Sequence, residues 1–232
     1  MGRPGAVQRP RRVLKCRGPS SARGRKTLTA DSANATTFNS ATFDSGAADS
    51  VPAGSNDNDP LVLVDADDVP QGLAPKIEVH RRGLRHRALS VLVRDRAGNM
   101  LVHRRNAAKY HSGGLWTNAC CSHPRPDEPP AAAARRRLAE EMGVDCEVRP
   151  LFRAHYRAAV SNGYIEDEVV HAFGGTYEGP VEPDPAEVWE WKWMPFTVLA
   201  DDVTRRPELY TVWFLHYFRE HYDAIAAWME KG

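Results

Sequence analysis

Long apolar runs are missing from this sequence of 232 residues. None approaches the roughly 20 residues that a bilayer-crossing helix needs, so a helical membrane span is excluded and no membrane partner is expected. Cysteine is scarce as well, with only Cys16, Cys120, Cys121 and Cys146. Four thiols in a chain of this length, two of them adjacent, make no disulfide framework; they read as reduced and the setting as cytoplasmic. Nor does either sign of charge dominate, the formal net being +1. The distribution is uneven all the same. Residues 1–30 carry seven Arg and two Lys without an acid, residues 31–60 carry five Asp without a base, and residues 61–232 are left with −3. That balance argues against a nucleic-acid partner for the folded part.

Large apolar groups are sparse over residues 1–60, where Gly, Pro, Ser, Ala, Asn and Asp prevail. Such a segment cannot bury enough surface to offset its ordering entropy, so a disordered tail is expected, basic and then acidic. Its Arg-rich first half also has the composition of an organelle transit peptide, but lacks the apolar centre of a secretory signal. Residues 61–232 are of a size for one folded domain, and the 42% hydrophobic content is that of an ordinary globular chain.

Within that domain LVLV at 61–64 reads as a strand and DADDVPQG at 65–72 as a turn. Two β-rich runs at 88–94 and 100–104, joined by DRAGN, read as a hairpin. Residues 104–114 form a basic loop ending in Gly. Pro129 and Pro130 suit the opening of a helix over 131–142, with Asp127 and Glu128 at its positive end and Gly143 as its stop. Further strands are expected at 147–152, 154–159, 166–173 and 190–194, and one long amphipathic helix over 208–229. Strands lead, helices intersperse and no βαβ repeat shows, which is the α+β class.

Several side chains carry candidate chemistry. His80, His86 and His123 join Glu166 and Glu168 as a candidate metal set, because residues two apart on a strand face one side. Imidazole nitrogens with carboxylate oxygens suit Zn²⁺, Mn²⁺ or Fe²⁺ better than Ca²⁺. Taken singly, each reads first as a surface His or a solvated acid. Glu140 and Glu141 stand near a helix C-terminus, where acids oppose the dipole, a placement that hints at a compensating cation such as Mg²⁺. Lys76, Arg104, Arg105 and Lys109 are either a solvated face or a diphosphate clamp. Cys121, two residues before His123, is either a small hydrophobe or an acid, base or nucleophile. Trp189, Trp191, Trp193 and Trp213 read as core or pocket wall.

TNACCSHP at 117–124, RRRLAEEMGV at 135–144, YIEDEV at 164–169 and the Trp-rich close together resemble the type 1 isopentenyl-diphosphate isomerases, members of the Nudix fold. The likeness runs from about residue 61 to 213. It implies a Nudix-like mixed β-sheet core flanked by helices, a small-molecule diphosphate substrate, and a monomer or weak dimer. It implies catalytic roles for Cys121 and Glu168, with Tyr156 assisting. His80, His86, His123, Glu166 and Glu168 would hold a divalent metal, Mn²⁺ or Zn²⁺. Glu141 would bind Mg²⁺ shared with the diphosphate; Lys76, Arg105 and Lys109 would grip that diphosphate, and Trp213 would be the aromatic wall. Against the hydrolase pattern of the fold, Asp127 is taken at the first Gly, Ala133 at the first Glu and Arg137 at the Glu after the Arg. Loss of those acids fits an isomerase. The alternatives are a Nudix hydrolase cleaving diphosphates and a non-catalytic Nudix-fold binding module.

Overall fold

A computed structural model describes residues 59–231 of the chain. The expected tail, with Cys16 and almost all of both charged segments, lies outside the described residues. Regular structure begins with β1 (Pro60–Val64), which pairs antiparallel with β2 (Pro70–Pro75). Between them Asp65 makes the expected turn, its Oδ1 accepting from the backbone N–H of Asp67 and Val69. The end of that stretch is strand rather than turn. β2 is exposed along nearly all its length, so it shows no apolar alternation to mark it.

Helix α1 (Lys76–Arg82) is under two turns long and ends at Gly83, whose φ of 61° is the left-handed conformation of a helix stop. A Cβ there would also lie 2.8 Å from Ile165 Cγ2, so only Gly fits. The stop turns the chain into β3 (His86–Arg94), which forms a hairpin with β4 (Asn99–Arg105) through Arg94 and Met100. Two short strands, β5 (Trp116–Asn118) and β6 (Cys120–Ser122), interrupt what reads as loop.

Helix α2 (Pro130–Met142) opens with Pro at its first position and closes at Gly143, φ 64°. Its buried stripe is Ala133, Ala134, Leu138, Glu141 and Met142. Full burial of Leu138 and Met142 contributes about 1.5–3 kcal/mol each, and the stripe draws Glu141 inward with them. β7 (Val148–Ala159) is one strand, not two: a register shift between Pro150 and Phe152 breaks its alternation without ending its pairing with β8 (Ile165–Thr176). β9 (Val188–Pro195) pairs with β4.

The C-terminal region is not one helix. α3 (Phe196–Arg205) buries only Leu199 and Val203, and Asp201, Asp202 and Thr204 dilute its apolar signal. After a 3₁₀ turn at Pro207–Leu209 come α4 (Val212–Glu220) and α5 (Tyr222–Met229). The break falls at His221, which leaves helical geometry and stacks on Phe152 at 4.3 Å between ring centroids. Among the described residues no helix is long and apolar enough to cross a membrane.

β3 organises the mixed sheet. β8 runs parallel along one edge from His86 to Arg94, so the other edge is divided in turn among β1, β6 and β4. Leu89, Val91 and Val93 point to the core under α2, while Ala88 and Leu92 point to the core shared with α3, α4 and α5. Burial on both faces is what a strand with a parallel neighbour requires. The result is the expected mixed sheet flanked by helices.

Candidate active site

Strand register assembles the site. His86 lies opposite Glu168 across the β3–β8 pairing, and Glu168 lies opposite Tyr156 across β8–β7. At β3's other edge Ser90 faces Cys121, and His123 follows just beyond β6. Alternation turns His86 and Ser90 to the same face of β3. Cys121 and Glu168 therefore approach one cavity from opposite edges of that strand, and both line it. The cavity volume is about 90 Å³.

Three imidazoles and two carboxylates crowd together beside the cavity. His86 Nε2 stands 3.2 Å from His123 Nε2, and Glu168 Oε1 lies 3.5 Å and 3.3 Å from those two nitrogens. His80 Nε2 is 3.3 Å from Glu166 Oε2. The tautomers are fixed from behind: His80 Nδ1 meets the Lys76 carbonyl at 2.7 Å and His86 Nδ1 meets the Leu84 carbonyl at 2.9 Å. A neutral ring that donates through Nδ1 presents a bare lone pair at Nε2. His80 Nε2 and Glu166 Oε2 are buried with no hydrogen-bond partner. Electron pairs facing one another in a dry site are costly unless a cation lies among them. The five residues fit a divalent metal on that ground.

The same neighbours set the ionisation. Burial opposes the Glu166 charge, but the hydrogen bond from His111 holds its carboxyl well below the usual range. Burial and the Glu166 charge oppose Glu168, and the bond from His123 with the nearby His86 ring still brings it down. Burial drops His123 to about 3, leaving the neutral imidazole that ligation needs.

Cys121 is fixed by its partners. Its S–H donates to Asn118 Oδ1 at 3.1 Å, and Ser90 Oγ lies 3.2 Å away. Asn118 cannot turn its oxygen elsewhere, because its Nδ2 donates to Ser90 Oγ and the Val91 and Cys120 carbonyls. Burial pushes the thiol up to about 12, so it rests protonated. Trp213 closes the cavity from α4, its Nε1 donating to Thr117 Oγ1 at 2.8 Å.

Six cations among the described residues stand in the cavity lining. Lys76, Arg105 and Lys109 line it, and so do Arg125, which the sequence patterns did not single out, and Arg136 and Arg137, which they marked only as positions of the Nudix-type helix. The Arg105 guanidinium stacks over Trp213 at 5.2 Å and its buried Nε has no partner. Arg104 is the exception in the expected clamp. Alternation along β4 turns it outward over Trp189, paired with Glu190. Trp189 and Trp191 are 59% and 37% exposed, so they are neither core nor pocket wall. The adjacent glutamates of α2 also part company. Glu140 points to solvent, while Glu141 faces the cavity with Arg137 at 2.6 Å.

A NUDIX domain family model matches residues 84–218. The isopentenyl-diphosphate Delta-isomerase 2 of Aromatoleum aromaticum is 50% identical over 155 residues, covering 67% of this chain and 82% of that protein. The isopentenyl-diphosphate Delta-isomerase of Burkholderia multivorans is 49% identical over 154 residues, covering 66% and 88%. The chain belongs to the isopentenyl-diphosphate isomerase family, within the Nudix fold. The crystal structure of DR0079 from Deinococcus radiodurans, at 16% identity and a TM-score of 0.58 over 69% of this chain and 98% of that one, shares the fold.

Arg136 forks onto Glu128 at 2.8 Å and 2.7 Å, eight residues back. That is the spacing between the first Glu and the Arg of the hydrolase pattern, so Glu128 holds the position given to Ala133 and Ser122 the position given to Asp127. One acid is lost, not two: Arg137 replaces a Glu and neutralises Glu141 instead of adding to it.

Two further acid–base groups of this isomerase-family site escaped the sequence reading. His111 Nε2 meets Glu166 Oε1 at 3.0 Å, and Glu187 Oε2 meets Lys109 Nζ at 2.6 Å. His111 stood two residues after Lys109 in the basic loop, which is its only signal. Glu187 is one of several acids around the start of β9 and had none.

Proposed function

We propose that Cys121 and Glu168 carry the two proton transfers that interconvert isopentenyl diphosphate and dimethylallyl diphosphate. The observation behind this is that thiol and carboxylate enter one cavity from opposite edges of β3, with Lys76, Arg105 and Lys109 in its lining. In the isomerisation a proton adds to the terminal methylene, charge develops at the tertiary carbon, and a proton leaves the neighbouring methylene to form the internal alkene. One of the pair gives and the other takes, so protons balance and no bond to phosphate breaks. Tyr156, whose hydroxyl donates to Glu168 Oε2, holds that carboxylate toward the substrate. The Trp213 face stabilises the cation by about 2 kcal/mol or more when desolvated, and closing the cavity over the substrate keeps water from trapping it.

Lys76, Arg105 and Lys109 bind the diphosphate in this reading, and Arg105 brings a buried N–H that lacks an acceptor. His80, His86, His123, Glu166 and Glu168 hold a divalent metal, Mn²⁺ or Zn²⁺, which when bound supplies charge that fixes the Glu168 carboxylate. Glu141, buried at the mouth, is the residue for Mg²⁺ carried in with the diphosphate. Free thiols at Cys120, Cys121 and Cys146 suit a cytoplasmic setting.

Incubation of metal-loaded protein with isopentenyl diphosphate in D₂O tests the reading by NMR. Deuterium should enter the allylic product with no phosphate released. Phosphate release without deuterium uptake would favour a hydrolase, and a bound diphosphate with neither reaction a binding module.

A further inference from the structure

The loop that carries Lys109 also carries His111, and the fold fastens it on both sides of that histidine. Ser161 Oγ accepts from the Ser112 backbone N–H at 2.8 Å, and Asn162 Nδ2 donates to the Tyr110 carbonyl at 2.7 Å. Both latches come from the turn at Ser161–Gly163 that joins β7 to β8. Arg105 Nη2 adds a longer contact of 3.4 Å to the His111 carbonyl. His111 itself is 4% exposed.

An ionised carboxylate only accepts, so the 3.0 Å contact requires His111 Nε2–H to donate to Glu166 Oε1. His111 Nδ1 is then an acceptor, and Ser112 Oγ at 3.2 Å is its donor. The relay runs from hydroxyl to imidazole to carboxylate and uses up one Glu166 oxygen. The other, Oε2, is buried without a hydrogen bond and faces the bare Nε2 of His80. His80, His111 and Glu166 also cluster closely enough to share one ion, but His111 contacts Oε1 whereas His80 contacts the other carboxylate oxygen, Oε2.

We infer that His111 is a positioning residue for the metal centre, holding Glu166 so that Oε2 alone is presented beside His80. This rests on the metal-centre reading above. Partners that orient a ligating carboxylate typically change metal affinity by 10–100-fold. The position also ties the metal centre to the segment bearing Lys109, so one loop serves both the ion and the diphosphate grip.

The test is Mn²⁺ affinity, measured by the EPR signal of free Mn²⁺ with wild type, His111→Phe and His111→Gln. A glutamine amide reaches about as far as Nε2 and can donate the same hydrogen bond. His111→Phe should weaken Mn²⁺ binding about 10–100-fold, and His111→Gln should recover it to within about threefold. Circular dichroism of the metal-free variants checks that each is folded. Wild-type affinity in His111→Phe, or equal loss in His111→Gln, would overturn the inference while leaving the metal centre standing. A wild-type protein that takes up no Mn²⁺ would remove the metal centre and this inference together.

Discussion

The Tyr156 hydroxyl donates to Oε2 of Glu168 at 2.6 Å, while Oε1 of the same carboxylate stands against His86 and His123. The two oxygens thus have different neighbours, one a phenol at the cavity and the other a pair of imidazoles. Burial and the Glu168 and Glu166 charges push the Tyr156 phenol well above its usual range, so it stays a donor. Removing it by Tyr156→Phe should lower kcat about 10–100-fold, the worth of one hydrogen bond to a charged group. Steady-state kinetics with isopentenyl diphosphate would check this, with KM expected to change little.

Replacement of either proton-transfer group should be more severe. Cys121→Ala and Glu168→Gln are each expected to lower kcat by about 10²–10⁴-fold, with the diphosphate still bound. Near-full activity in either variant, in the same assay, would remove that residue from the reaction.

Arg105 is the grip residue with the most to lose. Its guanidinium is buried beside Trp213 with Nε unpartnered, so Arg105→Ala should mainly raise KM, by tenfold or more if a charged hydrogen bond worth about 1.5–3 kcal/mol is lost. A fall in kcat with unchanged KM would argue against a binding role.

Metal removal should act on stability as well as on rate. Without an ion the facing lone pairs of His80 Nε2 and Glu166 Oε2 are uncompensated. Exhaustive chelation should abolish activity and lower Tm, and restoring a divalent ion at 100 times its Kd should return about 2.7 kcal/mol. Thermal unfolding of the chelated and reloaded protein measures this, and activity that survives chelation would contradict it.

Much of the fold was legible where one face of an element is buried. The β3–β4 hairpin and α2 were readable because apolar periodicity, Pro130 and Gly143 agree. β2 was not, being exposed along nearly all its length, and the C-terminal break was not, because Phe152 draws His221 out of the helix from across the fold. The site divides in the same way. Cys121, His123, Glu166 and Glu168 stand in dense local patterns, and strand register brings them together. His111 and Glu187 belong to the site only through the return of distant segments, His111 onto Glu166 and Glu187 onto Lys109. Arg104 and Arg105 look equivalent in the sequence, and only the pleat of β4 separates them.

The most direct measurement is a crystal structure of the metal-loaded protein with isopentyl diphosphate, the saturated and unreactive analogue of the substrate. The branched carbon chain should lie against the Trp213 ring, in van der Waals contact with Cys121 Sγ on one side and the Glu168 carboxylate on the other. A chain that touches only one of those two groups, or a diphosphate seated away from Arg105 and Lys109, would contradict that arrangement.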